Sequence, residues 1–226
     1  MSFDFDLIVR SLPILLEGAL ITIQITVLSV GIGALIGLVV SLFRIAGPTP
    51  LRFLAKAYVD FLRGTPLLVQ IFMIYFALPS LIRSFSPDFR MEPIIAAVAA
   101  CSLNSGAYIA EIFRSGIEGV DKGQMEAGRS LGLSWPQTMR FIILPQAFRR
   151  IVPLLGNELI AMLKDSSLVS VIGFEELTRR GQLIISRTYA SLEIWFTVAI
   201  LYLILTFAIS RLVAYVERRF EIKCEN

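Results

Sequence analysis

The feature that most constrains this chain is a succession of apolar stretches, each long enough as a helix to cross a bilayer core of about 30 Å. They fall at residues 20–43, 66–82, 94–113, 151–174 and 194–216, and apolar residues make up 56% of the sequence. Hydrocarbon offers no partner to a backbone N–H or C=O, so runs of this kind must close their hydrogen bonds within the helix. The pattern predicts an all-α integral membrane protein with five transmembrane helices, organised as one domain over residues 1–226 without internal repeats.

The breaks between the stretches carry information of their own. Gly47-Pro48-Thr49-Pro50 ends the first. Residues 51–63 hold Asp60 and Arg63 one helical turn apart, which predicts a salt bridge at the cytoplasmic end of a span, and Gly64-Thr65-Pro66 then interrupts or kinks the path. Pro79, Ser84, Pro87 and Asp88 predict a loop, and Pro93 suits the first turn of the third span. Residues 114–150 are the longest polar stretch and contain Pro136 and Pro145, so they cannot be one buried helix and the fourth span is expected to begin near Ile151. Residues 175–191 read as a charged loop. Tyr189 and Trp195 at one end of the fifth span, and Tyr215 and Phe220 at the other, occupy interface positions. Gly31, Gly33 and Gly37 present the small-residue surface of a span packed on another helix, and suit a subunit interface as well.

An odd number of spans places the termini on opposite sides, and lysine and arginine favour cytoplasmic loops. Arg44, Arg52, Lys56 and the basic residues of 114–150 and 211–223 fall on one side; Arg10, Arg83, Arg90, Arg179, Arg180 and Arg187 fall on the other. The N-terminus is therefore expected outside and the C-terminus in the cytoplasm. This sorting accounts for a net charge of +3 without invoking nucleic acid. Asp4 and Asp6 stand where a secretory signal would be basic, so the first span is expected to be retained. With no histidine and only Cys101 and Cys224, neither a metal site nor a disulfide framework is expected. The usual settings for a catalytic nucleophile are also missing, so an enzyme is not expected.

Residues 114–150 then face the cytoplasm. Within them, Asp121 to Leu133 mixes Met125, Leu131 and Leu133 with Lys122, Glu126 and Arg129, a short amphipathic helix suited to a groove on a partner protein or to lipid headgroups. The small residues Ala127, Gly128 and Gly132 permit close approach of a partner backbone.

Glu126-Ala127-Gly128, Gly132, Ile142 and Leu144-Pro145 resemble the cytoplasmic signature of the membrane subunits of ATP-binding cassette importers, with Gly128 in place of its second alanine. The segments Arg63 to Gln70, Asn104 to Glu111, Leu144 to Ala147, Gly156 to Glu158 and Lys164 to Leu168 extend the resemblance over nearly the whole chain, to the polar amino acid branch. The resemblance implies a type I importer transmembrane domain in a bacterial cytoplasmic membrane. It implies a coupling helix at about residues 122–133, with Lys122, Glu126, Ala127, Gly128 and Gly132 set against a cleft of an ATPase. It further implies two such ATPase subunits, a second permease subunit, expected to be a copy of this chain, and an extracytoplasmic solute-binding protein. Closure of the ATPases would switch the path between inward and outward access as a rigid-body transition. The chain has no Gly-x-x-x-x-Gly-Lys-Ser/Thr loop, so ATP and Mg belong to the ATPase and this chain needs no cofactor.

An ionisable group in hydrocarbon costs about 2.5–3.5 kcal/mol and needs a partner, water or a ligand, so polar residues within spans are the candidate substrate contacts. Asn104, Tyr108, Glu111 and Ser115 share one stripe of a helix, with Ser105 beside it. Asn104 serves there either as a ligand contact or as helix glue, and Glu111 lies either on the path or at headgroup level. In the fourth span Glu158 lies about a third of the way in, with Met162 and Asp165 on or beside its stripe. A carboxylate at that depth attracts a cation, which points to arginine, lysine or protonated histidine as cargo. Lys164 is about 120 degrees away around the helix, so a direct bond to Glu158 is not expected; Lys164 and Asp165 are expected to serve as structural polar residues, pairing across subunits or holding Ser166 and Ser167, and Asp60 and Arg63 as a salt bridge. The predicted substrate contacts are thus Asn104, Ser105, Tyr108, Glu111, Glu158 and Met162, with no metal ligands. The alternative is a secondary amino acid transporter coupled to ions through Glu111, Glu158 or Asp165, against which stands the lack of a repeat or of two matched broken spans.

Overall fold

A computed structural model of the chain describes residues 4–219; Phe220, expected at a membrane interface, lies outside them, as do Lys223 and Cys224. Every regular element among the described residues is helical. Helix α1 (Phe5–Ala46) starts at Asp4, whose carboxylate accepts from the Leu7 N–H, and runs for 42 residues, about 63 Å. It is roughly twice as long as a bilayer core is thick, so the predicted span 20–43 is only its second part.

That second part packs against α5 (Pro93–Glu118). Gly33 and Gly37 make the approach possible: a Cβ at either would stand 2.8–3.1 Å from atoms of Ser102, Ser105, Gly106, Ile109 and Ala110. These two glycines are used inside the chain, whereas Gly31 faces open surroundings and has no neighbour.

Between them, α2 (Thr49–Gly64) meets the run formed by α3 (Leu67–Phe72), a π-helical turn (Met73–Ala77) and α4 (Leu78–Ile82) at an angle of 108°. The bend falls at Gly64-Thr65-Pro66, as the sequence predicts. A second π-helical turn (Met139–Ile143) follows α6 (Lys122–Ser130) and α7 (Trp135–Thr138), and leads into α8 (Leu144–Asp165). Both π turns stand just before a proline, Pro79 and Pro145. Proline lacks an N–H and crowds the carbonyl four residues back, and a widened turn relieves both defects without ending the helix. This is why the fourth helix begins at Leu144 and not near Ile151. At its other end α8 passes into a 3-10 segment (Ser166–Ile172) and left-handed Gly173 (φ 81). The expected loop at 175–191 is mostly helix α9 (Leu177–Thr188), and α10 (Ser191–Arg219) completes the bundle.

Among the described residues three helices, α1, α5 and α10, are long and apolar enough to cross a membrane, and four spans result if α2 and the α3–α4 run count as one. Helix α8 has the length, 22 residues or about 33 Å, but carries Arg149, Arg150, Glu158, Lys164 and Asp165. A helix with that charge needs protein or water beside it, not lipid alone. Apolar clusters join the elements at three levels: Ile71, Ala97, Cys101, Met162 and Val169 in the middle, Leu15, Leu177 and Ile194 at the α9 end, and Val120, Ile143 and Ile151 at the α6 end.

Candidate functional site

The break at 64–66 opens a cleft of about 420 Å³, walled by Arg63 of α2, Asn104 and Tyr108 of α5, Asp165 of α8 and Leu168 just beyond it. Pro66 cannot donate and Gly64 cannot cap with a side chain, so the exposed backbone of the break must be held from elsewhere. Gln70 does this: its Nε2 donates to Leu62 O (2.8 Å), Thr65 O (3.0 Å) and Thr65 Oγ1 (3.0 Å). Asn104 in turn donates Nδ2 to Gln70 Oε1 at 3.0 Å. Asn104 is therefore helix glue by geometry and also a wall of the cleft. Nothing in the sequence beyond the polarity of Gln70 signalled its part.

The structure brings Ser105 and Glu158 together, with Ser105 Oγ donating to Glu158 Oε1 at 2.8 Å. Glu158 and Asp165 are seven residues apart and so share one face of α8 about 10 Å apart. Met162 is set elsewhere: it is 1% exposed, inside the apolar cluster with Ile71 and Cys101, and does not line the cleft.

Glu111 is the centre of an ion-pair group. Arg44 of α1 approaches Oε2 at 2.7 Å, Arg114 bonds both Glu111 and Glu118, and Arg63 stands 3.9 Å away. Arg63 also lies over the Tyr108 ring, 5.3 Å from its centroid. The expected Asp60–Arg63 salt bridge does not form, because Arg63 turns from α2 toward α5, where both a carboxylate and a ring face await it. Lys164 and Asp165 are both exposed on adjacent positions of α8.

A fully buried carboxylate lies elsewhere, at a position the sequence did not single out. Glu176 is 0% exposed; its oxygens accept from the Thr178 N–H (2.9 Å), the Arg179 N–H (2.8 Å) and the Tyr202 hydroxyl (2.9 Å). Thr22 of α1 accepts from the Leu177 N–H at 3.2 Å, so α1, α9 and α10 are tied at one point. Burial pushes the Glu176 carboxyl above its ordinary range, against the opposing pull of those donors.

At the other end of the bundle, α6 starts at Asp121, whose carboxylate accepts from the Gly123 N–H, and ends in a Schellman motif: Leu133 N donates to Gly128 O (3.2 Å) and Gly132 N to Arg129 O (3.0 Å), with Gly132 left-handed at φ 84. Gly128 is buried, and an alanine Cβ there would come to 2.6 Å from Thr138 Cγ2, which suits the glycine found in place of the signature alanine. Lys122, Glu126, Ala127 and Arg129 stay exposed, with Leu131 81% and Trp135 48% exposed beside them. Among the described residues no group of His, Cys, Asp or Glu could hold a metal ion.

Residues 29–222 match the family described as binding-protein-dependent transport system inner membrane component. The chain is 46% identical over 222 residues to the glutamine transport system permease protein GlnP of Escherichia coli (strain K12), covering 98% of this chain and 100% of that protein. It is 39% identical over 221 residues to the arginine transport system permease protein ArtQ of Bacillus subtilis (strain 168), covering 98% and 99%. Among solved structures, a crystal structure of an amino acid ABC transporter with histidines matches with a TM-score of 0.90 and 42% identity, covering 97% of this chain and 100% of that one.

Proposed function

Because this chain belongs to the family of binding-protein-dependent transport system inner membrane components and is a permease subunit of an amino acid ABC importer, we propose that it passes polar amino acids through the cleft at the 64–66 break, and that Glu158 favours those with a cationic side chain. Membership sets aside the ion-coupled alternative and implies ATPase partners and a binding protein. In our reading two copies of the chain, each one transmembrane domain of five crossings, enclose the path in a bacterial cytoplasmic membrane. The N-terminus lies outside and the C-terminus inside. Two ATPases hold the ATP and Mg; this chain holds no cofactor and catalyses nothing. The exposed face of α6, with Lys122, Glu126 and Ala127, sits in the ATPase cleft, and Gly128 and Gly132 give it its shape.

The observation that carries the cargo assignment is the placing of Glu158. One oxygen takes the Ser105 hydroxyl and no cation among the described residues is bonded to the carboxylate, so it retains acceptor capacity, and Ser105 adjoins Asn104, which lines the cleft with Tyr108. Glu111 and Met162, which the sequence put among the contacts, support the site from behind in this reading. A second reading, glutamine as cargo, is favoured by the 46% identity to a glutamine permease, since the same carboxylate accepts from an amide NH₂. Uptake by the reconstituted importer separates them. Glu158→Gln should reduce arginine uptake about tenfold or more relative to glutamine uptake if charge selects; equal losses would leave glutamine as the better assignment.

A further inference from the structure

We propose that Arg63 binds the α-carboxylate of the cargo, so that the cleft recognises the zwitterion common to α-amino acids before it discriminates among side chains; this rests on the reading of the cleft as the cargo site. Around Glu111 three guanidinium groups, Arg44, Arg63 and Arg114, meet two carboxylates, Glu111 and Glu118. One positive charge is left over, and the geometry assigns it to Arg63. Arg44 and Arg114 are directly bonded to Glu111, while Arg63 is 3.9 Å away, beyond hydrogen-bond reach, and its side chain is 41% exposed against 14% and 28% for the others. Glu111 already accepts three hydrogen bonds from the first two.

The surplus charge faces the cleft. Tyr108 lies under the guanidinium, which is over its ring at 5.3 Å from the centroid, and a guanidinium so placed still offers N–H donors to a carboxylate. Asp165, on α8, is the anion of the same cleft. One cation from α2 and one anion from α8 on the same cleft suit a zwitterionic ligand. Because Arg63 adjoins the 64–66 break, closing on a carboxylate also ties the bend of the path to the presence of cargo.

The test uses the purified complex of this chain with its ATPase, without the binding protein, which would make its own selection. Binding of L-arginine and of agmatine, which is arginine without its carboxylate, is measured by calorimetry. The unsubstituted complex should prefer L-arginine about tenfold or more, Arg63→Gln should bring the ratio near one by weakening L-arginine alone, and Arg63→Lys should keep part of the preference. No preference in the unsubstituted complex, which needs no variant, overturns the proposal. So does an Arg63→Gln complex that keeps the ratio or weakens both probes equally while Asp165→Asn still weakens L-arginine: the cleft then stands and Arg63 does not read the carboxylate. If neither Arg63→Gln nor Asp165→Asn changes L-arginine binding, the cleft itself is not the cargo site.

Discussion

Glu158 and Glu176 are both carboxylates drawn out of bulk solvent, and they differ in how completely they are satisfied. Glu176 has no exposure and takes two backbone N–H groups and a tyrosine hydroxyl from two helices. Glu158 takes one serine hydroxyl and keeps partial exposure. The number of bonds made, more than depth, separates an anchor from a receptor: a group whose lone pairs are filled by its own chain has nothing to offer a ligand.

The largest effect that sharpens this contrast is on stability. Glu176→Ala strands three donors in a dry site and should cost about 3 kcal/mol or more in thermal unfolding of the purified chain, whereas Glu158→Ala should cost about 1 kcal/mol or less. If Glu158→Ala proves the more damaging, the contrast is broken. Glu176→Gln keeps an acceptor for part of the cluster and should fall between, about 1–2 kcal/mol. A comparable effect is expected at the α6 end: Gly132→Ala forces a left-handed alanine, costing about 1–2 kcal/mol locally, and should reduce recovery of the ATPase on co-purification. The smallest concerns the break in the path. Asn104→Ala should cost about 1 kcal/mol and Gln70→Ala, which also frees Leu62 O and Thr65 O, somewhat more, with the double variant little above Gln70→Ala alone because the Asn104–Gln70 bond is lost in both; fully additive losses would show that they act apart.

Much of this was legible in the chain itself. Helix α5, the break at 64–66 and α6 follow from apolar periodicity, Gly-Pro punctuation and amphipathic patterning, all local signals. Ser105 and Glu158 were each marked by polarity in an apolar run, but only the packing of α5 on α8 makes them a pair. Helix α9 was hidden by Arg179, Arg180 and Arg187, although Leu177, Gly181, Ile184 and Ile185 carry a helical period that could have found it. Pro145 misled in the opposite direction, since a π turn absorbs it and sequence offers no sign of one. Met162 shares a stripe with Glu158, yet a stripe does not say which neighbour it meets, and here that neighbour is apolar core. Asp60 and Arg63 have ideal spacing for a pair, but Arg63 turns to the Tyr108 ring and the Glu111 group on another helix.

The central claim is that the bundle moves amino acids only when an ATPase drives it through α6. The direct measurement is uptake into vesicles holding this chain with its ATPase and binding protein, with nucleotide supplied on the α6 side and ion gradients collapsed by ionophores. Uptake that continues under the ionophores and stops when ATP is withheld is the predicted result; uptake that tracks the ion gradient and persists without ATP would contradict the account.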